Sequence, residues 1–345
     1  MSFFRRSEIY AALDLGTTNC RLLIARPAGD RLRVVDSFSR VVRLGEGLLA
    51  TGVLSEAAMS RAIDALTVCA EKLDQREVTR ARFVATEACR RATNCGEFLA
   101  RVHERTGLGL EIIPTEEEAR LALAGCAPLL DPERRHAIVF DIGGGSTELL
   151  WVAVNPCADG GVETEIRDVI SLPLGVVSLT ERFQPGPGEA FGPVVFARMV
   201  DVVRDAFADF DRGWGIAAQV AAGGVQMLGS SGTVTTLAGM RLGLQRYERQ
   251  RVDGTVLDFG DIGRMTRKLV GMNAVERSKE PCIGTVRADL MIAGCAILEA
   301  ICRTWKVGRL RVADRGVREG ILAGLHAATR TGISDACIRP AALSS

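Results

Sequence analysis

The chain has 345 residues, 47% of them hydrophobic and 25% charged, values that exclude a disordered protein and leave room for two domains with a core each. A net charge of +1 excludes a bulk field drawing the protein to nucleic acid or an anionic membrane, so affinity for a polyanion must come from local clusters. No run reaches the roughly 20 apolar residues that span a bilayer, and the 10 cysteines form no CxxC pair and no Cys/His grouping at zinc spacing. The opening MSFFRRSEIYAALDLG offers no secretory h-region. The expectation is a reduced, soluble, cytoplasmic protein whose cysteines fill cores, with neither nucleic acid nor membrane as partner.

Residues 9–13 predict a strand that runs into Asp14-Leu15-Gly16-Thr17-Thr18-Asn19, and 21–26 and 31–40 predict two more. A loop over 41–52 contains LGEG, read as a turn in preference to a ligand contact. Ser55 is placed to cap a helix over 55–73, with apolar residues at 59, 62, 63, 66, 69, 70 and 73. A strand over 81–85 ends in Thr86-Glu87-Ala88-Cys89-Arg90-Arg91, followed by a helix over 95–106 and a strand over 111–113. Pro114-Thr115-Glu116-Glu117-Glu118 then opens a helix to about 127. On residue logic alone Glu118 completes a capping box with Thr115. The polar connector DPERR places a domain boundary within 127–135.

The second half begins with HAIVFDIGGGSTELLW, residues 136–151. An apolar run ends on Asp141, Gly143, Gly144 and Gly145 follow, and Ser146, Thr147 and Glu148 lead into a second run. Glycines let backbone N–H groups converge on an anion without a Cβ in the way. Asp141 and Glu148 would repel bare phosphate but suit a hydrated divalent cation bridging to it. A tight hairpin with two solvated acids is the plainer reading. A further strand is expected over 163–172. The order strand, acid-glycine-hydroxyl turn, strand, strand, then helices occurs twice, 127 residues apart (141 minus 14).

A Pro/Gly-rich loop over 185–193 precedes an amphipathic helix over 196–210. A strand over 225–228 enters Gly229-Ser230-Ser231-Gly232-Thr233 and a helix to about 240, which reads equally as an anion or nucleotide cradle and as an ordinary strand-to-helix turn. Arg246, Arg249 and Arg251 read as a solvated face. Asp258 is placed to cap a helix through 270, 287–305 predicts a long buried helix, 309–313 a strand, and Arg315-Gly316-Val317-Arg318-Glu319-Gly320 the start of the last helix. The tail after 330 reads as frayed.

With DLGTTN, TEEEAR, DIGGGSTE, GSSGT and ADRGVREG in this order, the chain resembles the exopolyphosphatase/guanosine pentaphosphate phosphohydrolase family over residues 9–330. DLGTTN alone would suit an Hsp70. The short spacing between the two phosphate motifs and the acidic helix start before the second set the chain apart from Hsp70s and sugar kinases. The resemblance implies an α/β fold of two ribonuclease H-like domains, of the actin, Hsp70 and sugar-kinase superfamily, facing each other across a central cleft. The expected domains are 1–127 and 128–330, with the last helix packing back on the first and a flexible tail over 331–345.

The family's catalytic carboxylate precedes Ala-Arg, which here makes Glu118 the general base that activates water. The resemblance further implies Mg²⁺, or another divalent cation, on Asp141 and Glu148. It implies phosphate binding by Asp14, Gly16, Thr17, Thr18, Asn19, Arg90, Gly143, Gly144, Gly145 and Ser146, and a nucleoside or second phosphate site at Gly229, Ser230, Ser231, Gly232 and Thr233. Family members commonly read Ser-Asn-Ser where this chain has Thr17-Thr18-Asn19. Many also carry C-terminal domains implicated in handling long chains, which this sequence is expected to lack. The expected activity is that of an exopolyphosphatase releasing orthophosphate from inorganic polyphosphate. The alternatives are a guanosine pentaphosphate 5′-phosphohydrolase, an ATP-dependent actin-like or sugar-kinase-type protein, and a non-catalytic polyphosphate or alarmone sensor. A homodimer is compatible with the family, although no interface is legible in the residues.

Overall fold

In a computed structural model, residues 8–158, 160–183, 191–285 and 287–331 are described. Residues 185–190 of the loop expected over 185–193, and the tail beyond 331, lie outside them. The chain forms two compact units. One takes the described residues up to Gly125 and again from Gly316; the other is the continuous stretch Cys126–Arg315.

The first unit contains β1 (Tyr10–Leu15), β2 (Asn19–Ala28), β3 (Arg31–Val41), α1 (Leu48–Thr51), α2 (Glu56–Gln75), β4 (Arg80–Ala85), α3 (Glu87–Arg91), α4 (Cys95–Thr106), β5 (Glu111–Ile112) and α5 (Thr115–Cys126). Its sheet runs β3-β2-β1-β4-β5, with the first three antiparallel and β4 and β5 parallel to β1. Alternate residues of β1 and β2 serve different faces, as the pleat requires. Ala11, Leu13, Leu22 and Ile24 pack with α2 and α4, whereas Tyr10, Ala12, Leu23 and Ala25 pack with Leu121 and Ala122 of α5 and with the last helix. The Ser55 hydroxyl caps α2 by accepting from the Ala58 amide, and Met59, Ala62, Leu66, Cys69 and Leu73 are buried as their spacing predicts. The expected loop over 41–52 includes a helical turn, α1, bounded by Gly47 (φ 73°) and Gly52 (φ 71°), conformations that favour glycine.

The second unit opens with a 3₁₀ turn, Ala127–Leu129, then β6 (His136–Ile142), β7 (Thr147–Pro156), β8 (Val162–Leu172), α6 (Val176–Arg182), α7 (Pro193–Trp214), α8 (Ile216–Ala222), β9 (Val225–Ser231), α9 (Gly232–Arg241), α10 (Arg249–Val252), β10 (Val256–Asp258), α11 (Phe259–Val270), α12 (Ala274–Ser278), α13 (Met291–Thr304) and β11 (Arg309–Ala313). α14 (Val317–Thr331) returns to the first unit. This sheet runs β10-β11-β9-β6-β7-β8. Read from β8 to β11 it repeats the β3-to-β5 order, directions included, with β10 added antiparallel at the edge. The repeat read from two short motifs is therefore a repeat of whole ribonuclease H-like units. Interior β7 is buried through eight successive residues, while edge strand β8 largely alternates exposed with half-buried.

Two expectations are corrected. The helix expected from 287 begins at Met291. Asp258 precedes α11, but its side chain makes no capping bond there; the carboxylate pairs with Arg309 instead. No described helix is long and apolar enough to cross a membrane. The described cysteines are free thiols, seven of them buried, as core fillers should be.

Candidate functional site

The two acid-glycine-hydroxyl turns share one construction. In each, a strand pair closes over four residues with the glycine amide donating to the carbonyl of the last, Gly16 to Asn19 and Gly143 to Ser146, both at 2.9 Å. In the first unit the turn is backed by residues 42–45. The amides of Val42 and Arg43 donate to the Thr18 carbonyl, and Gly45 donates to that of Thr17. A Cβ on Gly45 would lie 2.3 Å from Thr17 Cγ2, so the first glycine of LGEG serves close packing against the turn. At Gly16 a Cβ would meet nothing nearer than 3.7 Å and φ is not positive, so the unit itself does not require glycine there. Thr18 Oγ1 and Asn19 Oδ1 are buried without a hydrogen-bond partner. Orphaned acceptors beside an open backbone suit an added polar ligand.

Asp14 stands just before this turn. Burial raises its carboxyl above the usual range, Arg21 and Arg318 oppose that rise, and Glu319 adds to it. Arg21 is its cross-strand partner on β2, and Arg318 comes from α14. The ADRGVREG motif thus brings to Asp14 a cation that local pattern could not assign.

The three acids that open α5 have separate fates. Glu116 is exposed. Glu117 bonds to Arg120 and Arg82, which hold its carboxyl below the usual range against the opposite pull of burial. Glu118 Oε2 accepts from Arg90 Nη1 at 2.7 Å. The helix begins at Thr115 itself, and the Glu118 amide donates to the Pro114 carbonyl. Arg90 is further held by Glu87 Oε2, which accepts from Nε and Nη2 at 3.2 and 3.0 Å, and by the Ile113 carbonyl at 2.9 Å. Burial opposes its charge, yet Glu118 and Glu87 keep Arg90 above the usual arginine range.

In the second unit, Asp141 on β6 and Glu148 on β7 are directly opposed in register and so share one face of the sheet. Glu148 is 4% exposed, and its Oε1 accepts from Ser146 Oγ at 2.6 Å and Ser171 Oγ at 2.8 Å. Ser171 lies opposite Glu148 on β8, a neighbour invisible without the register. The carbonyls of Gly143 and Gly144 accept from the Val176 and Val177 amides, which fixes the glycine turn on the first turn of α6. A Cβ on Gly143 would lie 3.0 Å from the Ser146 carbonyl oxygen, and one on Gly175 2.4 Å from Gly144, so glycine here serves close approach. Gly143 is not in the left-handed region. Among the described residues no group of three or more His, Cys, Asp or Glu could hold a metal ion. A facing pair of carboxylates with hydroxyl neighbours suits a hard cation that keeps several waters, rather than zinc.

GSSGT is used largely within its own unit. A Cβ on Gly229 would lie 2.3 Å from the Phe140 ring, Ser230 Oγ donates to the Arg315 carbonyl, Ser231 Oγ caps α9, and Thr233 packs on Gly294. Gly232 remains, with Arg287 Nη1 3.8 Å from where its Cβ would be. Arg249 binds the Asp314 carbonyl and Arg251 pairs with Glu248.

A family model described as the Ppx/GppA phosphatase family matches residues 23–328. The Ppx/GppA family member from Aquifex aeolicus is 31% identical over 93% of this chain and 98% of its own, with a TM-score of 0.75. An exopolyphosphatase-like protein is 27% identical over 93% and 98%, with a TM-score of 0.80. An exopolyphosphatase from Cytophaga hutchinsonii, 23% identical over 95% and 99%, has a TM-score of 0.81 and shares the fold.

Proposed function

Because the chain belongs to the Ppx/GppA phosphatase family, we propose that it is an exopolyphosphatase, a phosphoric anhydride hydrolase that removes the terminal phosphate of inorganic polyphosphate. The observation that carries this reading is Glu118. Of the three acids opening α5, it alone is both half-buried and paired with Arg90, the arginine expected to bind phosphate.

In this reading Glu118 takes a proton from water as the water oxygen attacks the terminal phosphorus. The bridging P–O bond breaks, orthophosphate leaves, and the shortened chain carries away the electron pair. The turn of Gly16, Thr17, Thr18 and Asn19, which follows Asp14, and the turn of Gly143, Gly144, Gly145 and Ser146 each offer N–H and hydroxyl groups suited to phosphate oxygens. Asp141 and Glu148 would hold Mg²⁺, which when bound neutralises anhydride oxygens. A guanosine pentaphosphate 5′-phosphohydrolase would use the same chemistry, with the GSSGT turn at 229–233 set against the nucleoside.

Phosphate release from short and long polyphosphate, guanosine pentaphosphate and ATP, with and without Mg²⁺, tests the reading. Polyphosphate is expected to be turned over fastest and chelation to stop it. Glu118→Gln is expected to lower kcat by about 10²–10⁴-fold with little change in KM. Wild-type turnover by Glu118→Gln would leave Glu118 a structural acid, and a preference for guanosine pentaphosphate would select the second activity.

A further inference from the structure

Arg90 has five N–H donors, and four are committed. Nε and one N–H of Nη2 go to Glu87 Oε2, and Nη1 is shared between the Ile113 carbonyl and Glu118 Oε2. An arginine held this way keeps one fixed orientation, from which its fifth N–H, on Nη2, can still reach an anion. Its own carboxylate neighbours set its orientation, and through Nη1 it sets that of Glu118.

An ion pair spaced i,i+3 on a short surface helix would ordinarily count for little. Here the side chains of Glu87 and Arg90 are each 16% exposed and that of Glu118 15%, so the three charges are largely withdrawn from water. Such a group persists only when its charges and lone pairs are mutually satisfied. Glu87 engages the Nε and Nη2 edge of the guanidinium that Glu118 leaves open, and Arg91 approaches Glu87 Oε1 at 3.6 Å from the exposed side.

We propose that Glu87 is a positioning residue for hydrolysis: by engaging Nε and Nη2 of Arg90, it directs Nη1 onto Glu118 and fixes the carboxylate that activates water. The proposal rests on the reading of Glu118 as the base. Glu87 touches neither water nor phosphate in this role, so its effect must pass entirely through Arg90.

A double-mutant cycle on polyphosphate hydrolysis tests it, with Glu87→Gln, Arg90→Ala, the double variant, and Glu118→Gln alongside. Glu87→Gln is expected to lower kcat by about tenfold, the size typical of an outer partner that orients a working group. KM should stay level or fall, because donors released from Glu87 remain available to phosphate. In the Arg90→Ala background the same change should add less than about twofold, as for two groups acting as one unit. Glu87→Asp, which keeps the charge on a shorter arm, should fall between wild type and Glu87→Gln, and it replaces Glu87→Gln in the cycle if that variant does not fold. Losses that multiply independently, or wild-type kcat without the Glu87 carboxylate, overturn the positioning role whatever Glu118→Gln does. Full turnover by Glu118→Gln overturns the base assignment whatever the cycle shows.

Discussion

Asp14 and Asp141 hold the same place in the two units but keep different company. Across the first sheet the register row reads Ser39, Arg21, Asp14, Val84; across the second it reads Ser171, Glu148, Asp141, Ser230. The first row pairs an acid with a base. The second pairs acid with acid, which is unfavourable at cross-strand distance unless a cation joins them. We place the proposed Mg²⁺ at the second turn. Glu148→Gln is expected to raise the Mg²⁺ concentration for half-maximal phosphate release by roughly 10–100-fold, and Ser171→Ala, which removes one donor to Oε1, by less. Titration calorimetry with Mg²⁺ reads the same change without turnover. Unchanged Mg²⁺ binding by Glu148→Gln would move the cation elsewhere. The acids of the two rows are plain in the sequence, but Arg21 joins the first and Ser171 the second only through pairing register, which no local pattern encodes.

Between elements, α5 and α14 approach at bare backbone. A Cβ on Gly320 would lie 2.0 Å from the Leu121 carbonyl oxygen, and one on Gly125 2.2 Å from that of Gly316. Because α5 carries Glu118, this crossing sets where the proposed base stands. Gly320→Ala is expected to cost about 3 kcal/mol by overpacking, measured by urea unfolding, and to lower kcat as α5 is displaced. Gly324→Ala, on the same helix with nothing within 4 Å, is the matched control and should be neutral or stabilising by about 0.5–1 kcal/mol. Equal stability of the two variants would show that the helices can part without loss. Periodic helices such as α2 and the strand-turn-strand pairs were legible because their signals are local. Gly320 was not, since a glycine inside a helix signals close approach only once the partner helix is known. Arg287 was assigned to a helix that starts four residues later because its apolar neighbours extend the periodic pattern. Glu87 sits on a five-residue helix too short to show any period, and its grip on Arg90 is a tertiary feature that no local pattern encodes.

At the scale of the chain, the first unit is made from both ends of the sequence. One face of its sheet, lined by Tyr10, Ala12, Leu23, Ala25 and Val84, is covered by α5 together with Val317, Ile321, Leu322 and Leu325 of α14. At about 1.5–3 kcal/mol for each buried aliphatic side chain, those four contribute roughly 6–12 kcal/mol, comparable with the roughly 5–15 kcal/mol that holds a whole domain folded. The second unit is continuous and keeps its own core. Residues 1–125 alone are therefore expected to aggregate or to unfold without a cooperative transition, because the uncovered face is a large apolar patch. Residues 126–315 alone should unfold cooperatively in urea, followed by circular dichroism. Since Gly125 and Gly316 are in contact, a chain joining 125 to 316 through a few glycine and serine residues should recover the first unit's transition. If residues 1–125 unfold as cooperatively as the rejoined chain, α14 merely covers a unit already stable, and its glycine crossing on α5 does not set the position of Glu118.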